Sequence, residues 1–263
     1  MSSETRPVAE PRDVRTPSKR RRTAFRLIAT IMAVSGIAFG LFTAVFGIIA
    51  EGQRIHAFHN TVVASLLLVL SAPAAIVAAR TPERSTVPSM HLAAVGVAGL
   101  AAMALGLTID PFTLPFVLLV AVLWLLQPAR EQAFGPGRPS PSLIGLVIAA
   151  VVPLAAYALT QAGLQRIDDT SEHAQLFHWV ETSFYASAVL LLGALVAVRP
   201  DRYRLSAWSA GVAIVLLGGA SLLLPSYDSA LDLPWAWAAL VGGLLFVAAA
   251  EWERRRLTAS GRP

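Results

Sequence analysis

Long apolar segments alternate with short polar connections along most of the 263-residue chain. A helix needs about 20 residues to cross a bilayer. By that measure eight segments are predicted to span a membrane: residues 25–50, 56–79, 91–109, 112–127, 142–163, 174–198, 205–225 and 233–252. The fourth is short, and its merger with the third into one hairpin is the alternative to eight. Asp110-Pro111 favours a turn between them, because a residue before proline avoids the helical region.

The segments fall into two groups of four, separated by a stretch rich in glycine and proline. The pattern therefore predicts an all-α integral membrane protein with two four-helix halves. The predicted organisation is a disordered basic cytoplasmic tail (1–24), a first half (25–128), a cytoplasmic linker (129–141), a second half (142–252) and a cytoplasmic tail (253–263).

Composition and charge support a membrane location. The chain is 56% hydrophobic and only 14% charged, with a mean hydropathy of +0.62. In the eight-span arrangement, every lysine and arginine except Arg54 and Arg166 falls on the side shared by the termini. The positive-inside rule then predicts a multi-pass plasma-membrane protein with both termini in the cytoplasm. This topology accounts for the net charge of +5, so the expected partners are the lipid bilayer and another membrane protein, with no nucleic acid.

An internal repeat relates the two halves at an ungapped offset of 119 residues. The matching positions include Phe58/Phe177, His59/His178, Arg80/Arg199, Gly99/Gly218 and Leu114-Pro115/Leu233-Pro234. Because four spans are an even number, the halves have the same orientation. The repeat predicts two parallel-related units about an axis along the membrane normal.

The repeated histidines are the main candidates for chemistry. His59 and His178 each open an apolar segment at the outer side, which predicts two imidazoles facing each other across the axis. Imidazole binds haem iron, copper and zinc. The alternative is a pair of interfacial histidines wetted by lipid headgroups. Since the chain has no cysteine, disulfides, thiol catalysis and thiolate metal sites are excluded.

Further ionisable residues surround this pair in the sequence. His56 precedes His59 by three residues, His173 lies in the preceding loop of the second half, and Glu181 follows His178 by one turn. We expect Glu181 to hydrogen-bond His178 and orient it. Together with Glu51, Asp168, Asp169 and Glu172 they predict a metal site of mixed nitrogen and oxygen ligands, with a solvated acidic loop as the alternative. His91 is interpreted as a residue at the inner end of the third helix.

The layout resembles the haem A synthase family and related cytochrome b-like four-helix units. The family motif Glu-x-x-His-Arg corresponds here to 56–60, His-Ala-Phe-His-Asn, and to 175–179, Gln-Leu-Phe-His-Trp. His59 and His178 keep the ligand positions, whereas the glutamate and arginine are absent. The family's second histidines, near Leu114 and Leu233, are missing as well. The resemblance implies eight helices in a 4+4 arrangement and a remnant haem b or metal site, but not haem A synthesis.

Three functions remain open from the sequence. The favoured one is a non-catalytic membrane component that binds protein or lipid, because few polar groups lie inside the predicted spans. The second is a haem- or metal-binding protein with a His59/His178 site on the extracytoplasmic side. The third is a small-molecule transporter built on the parallel repeat, which predicts broken helices and polar groups at mid-membrane. The sequence does not decide whether the protein is an enzyme.

Overall fold

The computed structural model describes residues 18–49, 56–128, 130, 133, 137–168 and 170–259. Within these ranges all regular secondary structure is helical. The long helices are α1 Lys19–Ile49, α2 Ala57–Arg80, α3 Thr86–Gly106, α4 Thr113–Leu126, α5 Pro141–Ile167, α6 His178–Val198, α7 Arg204–Leu223 and α8 Leu233–Ala259. A π-helical segment, Leu66–Ser71, lies inside α2. Single turns at Pro82–Arg84 and Glu172–Gln175 precede α3 and α6.

Seven of the described helices, all but α4, are long and apolar enough to cross a membrane. The chain is thus an all-helical, multi-pass membrane protein. With 14 residues, α4 is about 21 Å long, against about 30 Å for the hydrocarbon core. It is nonetheless separate from α3. Leu107 adopts a left-handed conformation (φ 51°) after α3, and the Asp110 carboxylate accepts hydrogen bonds from the amides of Phe112 and Thr113 at 2.8 and 3.2 Å.

Four helices form the centre of the bundle. In α2, α3, α6 and α7, 56–72% of the most apolar 18-residue stretch of the helix is buried. The corresponding share is 33% in α1 and 17% in α5 and α8. α3 packs on α6, α2 packs on α6 and α7, and the peripheral helices α1, α5 and α8 lie along α2, α6 and α7. The α7–α8 contact is close: a Cβ on Gly243 would lie 2.6 Å from the Gly211 carbonyl oxygen, and a Cβ on Gly218 2.6 Å from the Ala236 carbonyl oxygen. Small residues therefore bring these two helices together.

The helix ends correct the predicted tail boundaries. α1 begins at Lys19, so the basic run Lys19–Arg22 is helical rather than part of a disordered tail ending at residue 24. The Arg21 guanidinium donates hydrogen bonds to the carbonyl oxygens of Leu125, Leu126 and Gln127 at 3.0–3.1 Å. These carbonyls end α4 and have no partner within that helix. The predicted C-terminal boundary also differs from the structure. α8 continues to Ala259, whereas the second half was predicted to end at residue 252.

The described part of the predicted linker 129–141 packs against the C-terminal end of α6. The amide of Ser140 donates to the Ala197 carbonyl at 2.9 Å, and Arg199 donates to the Ala133 carbonyl at 2.8 Å. A Cβ on Gly137 would lie 2.7 Å from the Val198 carbonyl oxygen. Ser140 then caps α5 through the amide of Leu143. This part of the linker is held in place by the bundle.

His91 is not the helix-end residue that the sequence suggested. α3 begins at Thr86, five residues earlier than predicted, so His91 lies in the second turn and is only 1% exposed. One ring nitrogen contacts the Leu70 carbonyl oxygen at 2.6 Å and the other contacts the Ser206 hydroxyl at 2.9 Å. Leu70 belongs to the π-helical segment that precedes Pro73, which lacks an amide hydrogen. His91 therefore joins α2, α3 and α7 inside the bundle.

Candidate metal centre

Four of the five histidines in the chain meet at one end of the bundle. His56 immediately precedes α2 and His59 lies in its first turn. His173 belongs to the one-turn helix Glu172–Gln175, and His178 is the first residue of α6. We call these four residues, together with Glu181, the histidine cluster. The structure thus brings together the four histidines and Glu181, whereas the acidic residues proposed with them have other positions, described below.

The two repeated histidines face each other directly. The ring centroids of His59 and His178 are 3.5 Å apart, with an angle of 20° between the ring planes. Their exposed fractions are 6% and 7%. The alternative of interfacial histidines bathed by lipid headgroups does not describe this arrangement, because both rings are buried between α2 and α6.

Glu181 contacts a different histidine from the one we expected. Its Oε2 lies 2.7 Å from Nε2 of His59, across the interface between α6 and α2. The expected contact was with His178, one turn earlier on the same helix. Because His59 stacks on His178, its ring occupies the space that the Glu181 side chain reaches as it points back along α6. Glu181 is 8% exposed, and the contact with His59 offsets the cost of burying its carboxyl group.

A break between the one-turn helix and α6 brings His173 to the cluster. The predicted segment 174–198 is interrupted at Phe177, which has a left-handed backbone with φ 62°. In a continuous helix, side chains five residues apart would point about 140° apart. The turn instead places the rings of His173 and His178 5.2 Å apart. A non-glycine residue in this conformation is uncommon and marks a position fixed by its surroundings.

His56 completes the outer part of the cluster. It is 2% exposed, and its ring centroid lies 5.1 Å from that of His173 and 4.8 Å from that of His178. The exposed carboxylate of Glu172 is 3.3 Å from its Nε2, within ion-pair distance but without hydrogen-bond geometry. Glu172 therefore lies at the exposed rim of the cluster and belongs to neither set of three close donor atoms described below.

Asp168, another acid proposed for the site, makes its contacts within its own loop. The Asp168 carboxylate accepts hydrogen bonds from the amides of Thr170 and Ser171 and from the Ser171 hydroxyl. The hydrogen bonds from Ser171 hold the pKa of Asp168 below its ordinary value. This carboxylate therefore stabilises the loop before the one-turn helix. Glu51 and Asp169 lie outside the described residues.

Several buried ring nitrogens of the cluster lack a hydrogen-bond partner. Among the residues that the structure describes, Nδ1 of His56, His59 and His178 contacts no donor or acceptor. A buried polar atom without a partner costs about 1–3 kcal/mol. A metal ion would satisfy such nitrogens, since a deprotonated imidazole nitrogen is a common metal ligand.

The spacing of the donor atoms suits a metal ion. Two sets of three donors, His56/His173/His178 and His59/His178/Glu181, each have their ligand atoms within 4.8 Å of one another. Imidazole nitrogens bind zinc at about 2.0–2.1 Å, so two ligands of one ion are at most about 4 Å apart. Small side-chain movements would therefore close either set around an ion.

His173 has electrostatics that favour metal binding at neutral pH. Burial and the neighbouring His56 lower the pKa of His173, while the negative charges of Asp228, Glu172 and Asp168 partly oppose this. A lowered pKa keeps the ring neutral, which is the form that binds a metal.

Haem does not fit between His59 and His178. Axial ligation by two imidazoles requires the rings on opposite faces of a porphyrin, with their ligand nitrogens about 4 Å apart. Rings stacked at 3.5 Å leave no space for the macrocycle. The cavity next to Glu181 and Phe184 has a volume of about 60 Å³, well below the several hundred Å³ of a typical cofactor pocket.

No protein-family model, curated protein or solved structure matches the chain. The geometry of the histidine cluster is therefore the basis for assigning a function.

Proposed function

We propose that this membrane protein binds a transition-metal ion in the histidine cluster on the extracytoplasmic side of the plasma membrane. The observation that carries this proposal is the convergence of four buried or half-buried imidazoles and one buried carboxylate, in which several buried ring nitrogens have no hydrogen-bond partner. Purely structural histidines, such as His91, instead have both ring nitrogens hydrogen-bonded.

The donor set defines the class of metal. Nitrogen and carboxylate oxygen donors without sulfur suit Zn²⁺, Cu²⁺, Ni²⁺ or Fe²⁺ better than Cu⁺. When Glu181 is ionised, it accepts a hydrogen bond from Nε2 of His59, which leaves the lone pair on Nδ1 available as a ligand. Glu181 then orients His59 and raises its basicity, while His56, His173 and His178 supply further nitrogens.

The proposed topology has eight crossings with both termini in the cytoplasm. It is supported by the arginine and lysine distribution, with α4 as a short eighth crossing between α3 and the linker. Reporter fusions after Gly52, Arg84 and Arg138 should give outside, inside and inside signals. An inside signal at Gly52 would overturn this topology and place the histidine cluster on the cytoplasmic side.

We also propose that α1–α4 and α5–α8 are two parallel-related units. The support is that equivalent helices occupy equivalent places: α2 and α6 are central and carry the repeated histidines, α3 and α7 are central, and α1 and α5 are peripheral. For the position where the resemblance implies a remnant haem site, we propose a metal-ion site instead. The protein- or lipid-binding and transporter hypotheses stay predictions.

The proposal is tested by metal content and spectroscopy of protein purified without chelator. We expect about one equivalent of a first-row metal, or its uptake from a Co²⁺ or Cu²⁺ titration with a histidine-type absorption spectrum. His59→Ala and His178→Ala should reduce the affinity at least tenfold. His91→Asn is the matched control, because this histidine lies outside the cluster. The proposal would be refuted by folded wild-type protein that is purified without a first-row metal and takes up neither Co²⁺ nor Cu²⁺.

A further inference from the structure

A large cavity lies among the helices of the second half of the chain. Its volume is about 620 Å³, and it is enclosed by α5, α6, α7, α8 and the loop 224–232 between α7 and α8. This volume is within the range of about 300–1,000 Å³ found for small-molecule sites. None of the histidine-cluster residues lines the cavity, so it is independent of the proposed metal centre.

Small side chains create the space. The walls include Gly193 on α6 and Gly242 on α8, together with several alanines of α5 and α8. A Cβ added to Gly242 would contact nothing within 4 Å. α5 and α8 are also the least buried helices of the bundle, which leaves the cavity accessible from the membrane.

The polar groups of the cavity are concentrated at its outer end. The Tyr157 hydroxyl donates to the Ser229 carbonyl at 2.6 Å, and the Ser229 hydroxyl donates to Gln161 Oε1 at 2.9 Å. These hydrogen bonds hold the loop 224–232 against the C-terminal part of α5. The loop supplies Asp228 and Asp232, both exposed at the mouth.

The charges that line the cavity are of one sign. Among the residues that the structure describes, Asp228 and Asp232 are the only charged ones that line the cavity, and neither a lysine nor an arginine does so. The rest of the lining is largely apolar, with Tyr157, Trp235 and Phe246 as aromatic members. Aromatic faces attract cations, and two carboxylates at the mouth repel anions.

We propose that this cavity binds a lipophilic cation, whose apolar body lies between α5 and α8 and whose positive charge faces Asp228 and Asp232. A neutral apolar molecule would make no favourable charge interaction with the two carboxylates, and the headgroup of an anionic lipid would be repelled by them. The ligand would enter from the outer leaflet, because the acidic mouth and the histidine cluster lie at the same end of the bundle: the charge of Asp228 acts on His173.

The test uses three probes of equal shape: tetraphenylphosphonium (+1), tetraphenylmethane (neutral) and tetraphenylborate (−1). Saturable binding to protein in nanodiscs is measured relative to empty nanodiscs of the same lipid. Tetraphenylphosphonium should bind at about one equivalent and at least tenfold more tightly than tetraphenylborate. Equal affinity for the two ions, no saturable binding, or a co-purified phospholipid that the cation cannot displace would overturn the proposal.

Two sets of variants locate the site. Gly242→Leu and, as a second filling variant, Ala149→Leu should abolish tetraphenylphosphonium binding by occupying the cavity. Gly145→Leu is the matched control, because Gly145 also has open space around its Cβ but does not line the cavity. Asp228→Asn with Asp232→Asn should weaken tetraphenylphosphonium binding about tenfold and leave tetraphenylmethane binding unchanged. Retained cation affinity in both filling variants would place the ligand elsewhere.

Discussion

The Glu181 carboxylate on α6 lies 2.7 Å from Nε2 of His59 on α2. This contact joins the two helices that carry the repeated histidines, and both of its members are buried. With Glu181 ionised, His59 donates from Nε2 and its Nδ1, which has no hydrogen-bond partner, is unprotonated.

Glu181→Gln should lower metal affinity about 10- to 100-fold, the usual effect of removing a group that orients a metal-bound histidine. The glutamine keeps the size of the side chain but not its charge. Glu172→Gln is the control, because that carboxylate is exposed and lies at the rim. The measurement is a Co²⁺ titration followed by absorption. An affinity loss for Glu172→Gln equal to that for Glu181→Gln would contradict the role assigned to the buried contact.

His91→Ala should destabilise the fold by about 2–4 kcal/mol, since it leaves a cavity and removes the partners of the Leu70 carbonyl and the Ser206 hydroxyl. Metal binding by the folded fraction should be unchanged. Thermal unfolding in detergent and metal content of the folded protein measure the two effects separately. Loss of metal from a variant with wild-type stability would show that His91 acts on the centre.

Leu107→Gly should raise stability by about 1 kcal/mol, because Leu107 has φ 51° and is 79% exposed. Leu105→Gly should lower it by a similar amount, since Leu105 is within α3 and glycine weakens a helix interior. The melting temperatures of both variants are compared with wild type in the same nanodiscs. A fall for Leu107→Gly would show that lipid contact of this side chain outweighs its backbone strain.

His173 makes stability depend on pH. Its pKa in the folded protein is lowered below 6.5, mainly by burial. Well above pH 6.5 the His173 ring is neutral in both the folded and the unfolded chain. As the pH falls through 6.5, the ring becomes protonated in the unfolded chain while it is still neutral in the folded protein. Stability should therefore fall as the pH drops below about 6.5. In chelator-treated protein, His173→Gln should reduce the loss of melting temperature between pH 7.5 and 5.5 by about 1–2 °C. An identical loss in both proteins would exclude His173 as a source.

The helices were largely predictable because apolar length is a strong signal. The segments 112–127 and 205–225 agree closely with α4 and α7. The helix ends were less predictable, because they depend on distant partners. α1 begins at Lys19, and near this end the Arg21 side chain is held by carbonyl oxygens at the end of α4. Nothing near Arg21 in the sequence indicates that contact.

The candidate site was predictable in its members but not in its contacts. The repeat drew attention to His59 and His178, and proximity in sequence added His56, His173 and Glu181. The left-handed Phe177 could not be foreseen, because phenylalanine rarely adopts that conformation. The contact of Glu181 with His59 could not be foreseen either, because the spacing within one helix does not show which side chain approaches from another helix.

The hydrogen bonds from Arg21 to the last carbonyls of α4 affect how the protein is assembled. The arginine is inserted with the first helix, but its acceptors are synthesised about a hundred residues later. Once Gln127 has been translated, the contact can close α1 against α4 before α5 enters the membrane. An arginine of the basic run from which the topology was predicted thus also joins the first helix to the fourth.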